Sequence, residues 1–162
     1  MTSTNKQITG NIGIFYISYV LSLLDWNVLL TSRNSRGADL VISKNSIIHA
    51  LQVKSVSKNN DFSLGINYND PLIDFWVLLL NARGDRPKVF VVPAEDIINE
   101  RDKPYETNDN TGLITFDVPK QPDTEPKNFW ISCKYLNGPV GTSKYLNNFD
   151  QFNIYSSLQS KS

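Results

Sequence analysis

The chain carries one cysteine, Cys133, and one histidine, His49. A lone thiol excludes an internal disulfide framework and suits a reducing compartment, so a cytoplasmic location is expected. There is no Cys/His zinc spacing, no glycine-rich phosphate loop and no Ser/His/Asp pattern. Charge of one sign is missing too: 16 Lys and Arg balance 16 Asp and Glu. Proteins that hold nucleic acid by neutralising phosphates usually have a basic excess, so any such surface here has to be local. No apolar run reaches the roughly 20 residues needed to cross a bilayer. The stretch Ile12–Leu24 comes nearest. It also lacks the basic start and small-residue cleavage context of an export signal. It is expected to be a buried helix with no membrane role.

The 162 residues are 40% hydrophobic and 20% charged, which suits one folded domain over 1–162. Its ordered core is expected at about 10–152, with a polar tail over 153–162 and a frayed start over Met1–Gln7. From Gly10 to Asp25, Ile14, Ile17, Val20, Leu21 and Leu24 recur at helical spacing. Phe15, Tyr16, Tyr19 and Leu23 make the other side apolar as well. Such a helix is expected to pack on a sheet with one face and on a partner subunit with the other.

Strands are expected over Trp26–Thr31, Ala38–Ser43 and Ile47–Ser57, the last two joined as a hairpin by Lys44-Asn45-Ser46. Phe62–Gly65 reads as extended. Phe75–Asn81 and Lys88–Val92 are continuous apolar runs, the pattern of strands covered on both faces. A helix over Glu95–Arg101 and an edge strand over Gly112–Val118 follow. Phe129–Tyr135 is a strand or the approach to a closing helix over Ser143–Phe152. The order is helix, three strands, loop, two strands, then flanking helices. It predicts an α/β chain of the α+β mixed-sheet kind.

Alternation along the third strand puts Ile48, Ala50, Gln52, Lys54 and Val56 on one face, opposite Ile47, His49, Leu51 and Val53. Both faces are rich in apolar residues, which marks a central strand. An unpaired ammonium is costly to bury, so Lys54 calls for a carboxylate or phosphate partner. Asp39, on the preceding strand, is the nearest carboxylate in sequence. That set suits a metal-dependent phosphodiesterase. Asp39, the Gln52 amide oxygen and the Val53 carbonyl would hold Mg2+, and Lys54 would stabilise charge on the scissile phosphate.

The segment Gly37-Ala38-Asp39-Leu40-Val41-Ile42, a short turn, then Leu51-Gln52-Val53-Lys54-Ser55 resembles the motif of the PD-(D/E)XK nuclease superfamily. The opening Gly10-Asn11-Ile12-Gly13 and its helix, the runs Phe75–Leu80 and Val89–Pro93, and Lys144–Asp150 are similar to the remaining elements. The resemblance spans about Gly10 to Phe152. It implies a restriction endonuclease-like core with a mixed sheet of four or five strands. It also implies dependence on Mg2+, with Mn2+ as a substitute, and cleavage of DNA. Asp39 matches the first acid, Gln52 the second-acid position and Lys54 the lysine. Two positions depart from the pattern: Gln52 replaces a carboxylate, and the acid many relatives carry on the first helix is here Ile14. The alternative is a catalytically weak or inactive module of the same fold that binds nucleic acid or protein.

Each residue also has a plainer reading. Asp39 reads otherwise as a strand-edge carboxylate, Lys54 as a lysine reaching to solvent, and Gln52 as a satisfied buried amide. Arg33, Arg36 and Lys58 flank the hairpin loops, either solvated or touching a phosphate backbone. His49 faces away from Gln52 and Lys54 and is expected to be a structural or surface histidine, not a general base. Asp61, Asp70 and Asp74 are candidate second acids, with Asp74 expected to begin a strand instead. The partners expected are DNA and a second copy of the chain, as a homodimer or higher homo-oligomer.

Overall fold

The structure is a computed structural model that describes residues 3–32, 37–64, 72–101, 112–116 and 128–154. It opens with helix α1 (Ser3–Leu23), then strands β1 (Asn27–Leu30), β2 (Leu40–Lys44) and β3 (Ile47–Ser55). After β4 (Phe62–Ser63) come β5 (Phe75–Leu80), β6 (Lys88–Pro93) and helix α2 (Ala94–Arg101). Strands β7 (Ile114–Phe116) and β8 (Phe129–Ile131) lead to helices α3 (Cys133–Asn137) and α4 (Pro139–Lys144). One sheet has the order β1-β2-β3-β5-β6, antiparallel except for the parallel β3–β5 pair. The mixed sheet with flanking helices is the architecture expected, and β3 is its central strand.

Helix α1 ends where the backbone forces it to. Asp25 sits at φ 63, Trp26 N–H donates to Leu21 O and Asp25 N–H to Ser22 O, both at 3.1 Å. That pair of bonds is a Schellman ending, and Leu21 and Trp26, its apolar partners, lie in one core cluster. The helix starts earlier than expected, at Ser3 instead of Gly10, and Arg83 reaches Asn5 O at 3.3 Å near that end. Burial follows one stripe, Thr9, Gly13, Ile17 and Leu21. The opposite stripe stays open, with Phe15, Tyr19 and Leu23 at 64%, 63% and 65% exposure. Burial on both sides, as the apolar pattern suggested, is therefore not met within one chain.

Gly13 is what lets α1 sit down on β3. A Cβ there would fall 2.6 Å from Ser55 Oγ and 2.7 Å from Ser55 Cβ. Ser55 Oγ uses the close approach to donate to Thr9 O at 2.7 Å. This contact fixes which residues of α1 face the end of the β2–β3 hairpin.

Every residue of β5 is buried, and so are five of the six in β6. Phe75, Val77, Leu79, Val89 and Val91 join the cluster under α1, while Trp76, Leu78, Leu80, Phe90 and Val92 join a second cluster on the other face. That second face is covered in part by a sheet of order β4-β8-β7. The segment expected as an edge strand, Gly112–Val118, supplies β7, which lies at the edge of this smaller sheet. No continuous closing helix forms over Ser143–Phe152. Tyr145 O accepts from Val91 N–H, and Asn147 N–H donates to Val89 O, both at 2.9 Å. The backbone there serves β6 as an extra edge partner, so helix resumes only at 151–154.

Candidate functional site

Strand β3 and the residue just before β2 build the site. The β2–β3 turn has Asn45 and Ser46 at φ 50 and 67, the two left-handed positions of a tight hairpin turn. At the other end, Asp39 N–H donates to Leu51 O at 2.8 Å. The Asp39 main-chain oxygen accepts from Thr31 N–H at 3.1 Å, while Thr31 Oγ1 donates to Ala38 O at 2.5 Å with Asp39 O 3.2 Å away. Two main-chain bonds, one to β3 and one to the residue that follows β1, thus hold the Asp39 backbone.

Its carboxylate turns onto β3. Oδ2 accepts from Val53 N–H at 2.9 Å and from the Gln52 side-chain amide. Asp39 and Gln52 are therefore a contact pair, and Gln52 spends a donor on it, the satisfied amide of its plainer reading. Lys54 follows two residues on, half-buried. Its Nζ lies 5.7 Å from the centroid of the Trp76 ring. Burial pushes the Asp39 carboxyl above its usual range, opposed by Val53 N–H, the Lys54 charge and Gln52. Burial pulls the Lys54 ammonium below its usual range, opposed by the Asp39 charge. Both groups are drawn toward their neutral forms, a pattern that clusters at functional sites.

Beside Asp39 lies a cavity of about 170 Å³ lined by Asn11, Ile14, Phe15, Leu30, Thr31 and Asp39. The position marked in the sequence for a missing helix acid, Ile14, does face this space. Asn11, one helical turn earlier, and Thr31 were not singled out as site residues, although Asn11 stands three residues from Ile14 on the same helical face. Trp76 was missed because only the parallel register, Gln52 beside Trp76, brings it to Lys54.

The other candidates are placed elsewhere. Asp74 Oδ2 accepts from Ala50 N–H at 2.8 Å and lies 3.8 Å from His49 Nδ1. Asp61 Oδ1 accepts from Cys133 N–H at 2.7 Å, at the start of α3. His49 is buried and Nε2 donates to Phe152 O at 2.7 Å, which makes it structural and not the surface residue that was the other expectation. Lys58 is exposed just beyond β3, whereas Arg33, Arg36 and Asp70 lie outside the described residues.

Among the described residues no three His, Cys, Asp or Glu side chains gather as a metal cluster. The ligand atoms on offer are oxygens: the Asp39 carboxylate, the Gln52 amide that touches it, and those of Asn11 and Thr31, which line the same cavity. Mg2+ takes oxygen ligands, keeps several waters and is bound through one or two carboxylates with substrate phosphates. One carboxylate in an oxygen-only setting fits that ion at its lower limit.

No protein-family model matches the chain, and no curated protein matches its sequence. Among the described residues no helix is long and apolar enough to cross a membrane. Among solved structures, a bacterial homing endonuclease, I-Ssp6803I, superposes with a TM-score of 0.58 at 16% identity. The match covers 99% of this chain and 100% of that one. At this identity the likeness concerns architecture: the chain has the mixed α+β fold of a homing endonuclease.

Proposed function

We propose that this chain is a Mg2+-dependent endonuclease that hydrolyses DNA phosphodiester bonds, of restriction, homing or junction type, in the manner of the PD-(D/E)XK superfamily. The observation that carries the reading is the Asp39–Gln52–Val53 hydrogen-bonded unit with Lys54 two residues away, at a cavity of a nuclease-like fold. Asp39, with the Val53 carbonyl and the Gln52 amide oxygen, would hold Mg2+ or Mn2+ together with a substrate phosphate. The bound ion would supply Lewis-acid polarisation of that phosphate.

The remaining roles belong to side chains. Val53 N–H holds the Asp39 carboxylate in one orientation, so its other oxygen is presented without a search through rotamers. Lys54 brings a partly desolvated ammonium to the phosphate, where its charge counts for more than it would in water. Lys58, with Arg33 and Arg36, would meet the DNA backbone, the local basic surface that a neutral chain needs. The open stripe of Phe15, Tyr19 and Leu23 supports a homodimer or higher homo-oligomer. A monomeric mass by light scattering would remove that part.

The test is cleavage of duplex, branched and single-stranded DNA with Mg2+ and with Mn2+. Cutting by wild type that is lost in Lys54→Ala upholds the enzyme. Ile14 in the cavity favours a second reading, because it leaves Asp39 as the one carboxylate lining that space. On that reading the chain is a catalytically weak or inactive module that binds nucleic acid or protein. DNA binding without cutting on any substrate would select it.

A further inference from the structure

Trp76 lies on β5 beside Gln52 in the parallel register, and only 2% of it is exposed. Among the described residues its Nε1 is buried without a hydrogen-bond partner. An indole N–H left unpaired costs stability, so its presence asks for a gain elsewhere. The ring face provides one. Lys54 Nζ sits 5.7 Å from its centroid, within the range where a cation is drawn to the π-face, and Trp offers the strongest such face.

What kind of partner Lys54 has matters for what it can still do. A carboxylate in contact with the ammonium would take up one or two of its three N–H donors. An aromatic face attracts the charge without accepting a conventional hydrogen bond. The donors stay available to an outside anionic oxygen, while the ring offsets the cost of keeping the charge in a half-buried place.

We infer that Trp76 is the positioning residue of Lys54, seating its ammonium on the indole face so that its N–H donors remain free for a DNA phosphate oxygen. The effect on rate rests on the proposed nuclease reading; the seating itself does not.

Two measurements on the full chain separate these. The first is the NMR position of the Lys54 Hε protons, identified by their loss in Lys54→Arg. In wild type they should lie upfield of solvent-exposed lysines through the ring current. The displacement should vanish in Trp76→Leu and persist in part in Trp76→Phe. Hε protons at the ordinary lysine position in wild type overturn the inference, whether or not any variant folds and whether or not DNA is cut. The second is single-turnover cleavage at saturating DNA. Trp76→Leu should lose roughly tenfold in rate, with DNA affinity unchanged and Trp76→Phe largely rescued. If wild type cuts and Trp76→Leu, folded by circular dichroism, cuts equally fast, the positioning role is lost. If wild type cuts nothing, the nuclease reading fails while the resonance position still decides the seating.

Discussion

Two aspartates hold the same strand, and they are held in return quite differently. Asp39 accepts from Val53 N–H and Asp74 from Ala50 N–H, at 2.9 and 2.8 Å. For both, burial is the largest influence and raises the pKa. In Asp74 it is outweighed by the nearby His49 ring and the Ala50 N–H, so the carboxyl falls below its usual range. In Asp39 burial wins, and the carboxyl rises. The difference lies in what completes each cage. Asp74 has a histidine that is itself anchored to Phe152 O, whereas Asp39 has a neutral amide, a lysine held off on an indole face and a cavity. One carboxylate is used up by the fold; the other is left with capacity for a ligand.

The largest effects should fall on the Asp39 side alone. Lys54→Ala and Asp39→Asn should each lower DNA cleavage by roughly 100-fold or more in single-turnover assays with Mg2+. Asp74→Asn should leave the rate within a few-fold, and an equal loss there would erase the distinction drawn above. Next in size is stability. Asp74→Ala leaves Ala50 N–H unpaired and should cost about 1–3 kcal/mol in urea denaturation.

The pH dependence of the two should run in opposite directions. A folded pKa below the unfolded one gives Asp74 a stabilising contribution above the ordinary carboxylate range, lost as pH falls through its lowered value. A folded pKa above the unfolded one makes Asp39 a liability that sets in as pH rises through the ordinary range and is complete above its raised value. Asp39→Asn should therefore stabilise the fold at neutral pH and change it little in acid, a stability gained as activity is lost. Denaturation midpoints of both variants at neutral and acid pH check the opposed signs.

Ile14→Glu sharpens the comparison from another side. It would place a second carboxylate in the cavity with Asp39 and should tighten Mn2+ binding by calorimetry about tenfold or more. Unchanged affinity would mean that the cavity is not where the ion sits. The smallest effect serves as the control. Ser46→Gly relieves a left-handed residue at the far end of the hairpin and should stabilise by up to about 1 kcal/mol without altering cleavage.

Much of the frame was legible because it rests on local pattern. The runs Phe75–Leu80 and Lys88–Pro93 are apolar at every position but Lys88, which only a doubly covered strand explains. Asn45-Ser46 between two β-rich runs marked the hairpin, and the hairpin brought Asp39 to Gln52. The closing helix was misread because its helical pattern is overridden at Tyr145–Asn147, where β6 recruits the backbone. The smaller sheet was out of reach because its strands are two or three residues long and their partners lie far apart in the chain.

The amino-acid order alone determined the strand alternation, the turn and the placing of one aspartate, one glutamine and one lysine along a single hairpin. These follow from repeats of two and of three to four residues, which any stretch of chain expresses locally. Only the tertiary structure decided that Gly13 seats α1 on β3 with Ile14 facing Asp39, that Trp76 comes to lie beneath Lys54, and that Asp74 goes to His49 instead of the site. Those outcomes depend on which distant surfaces meet and at what register, and close packing settles that only when the whole chain is in place.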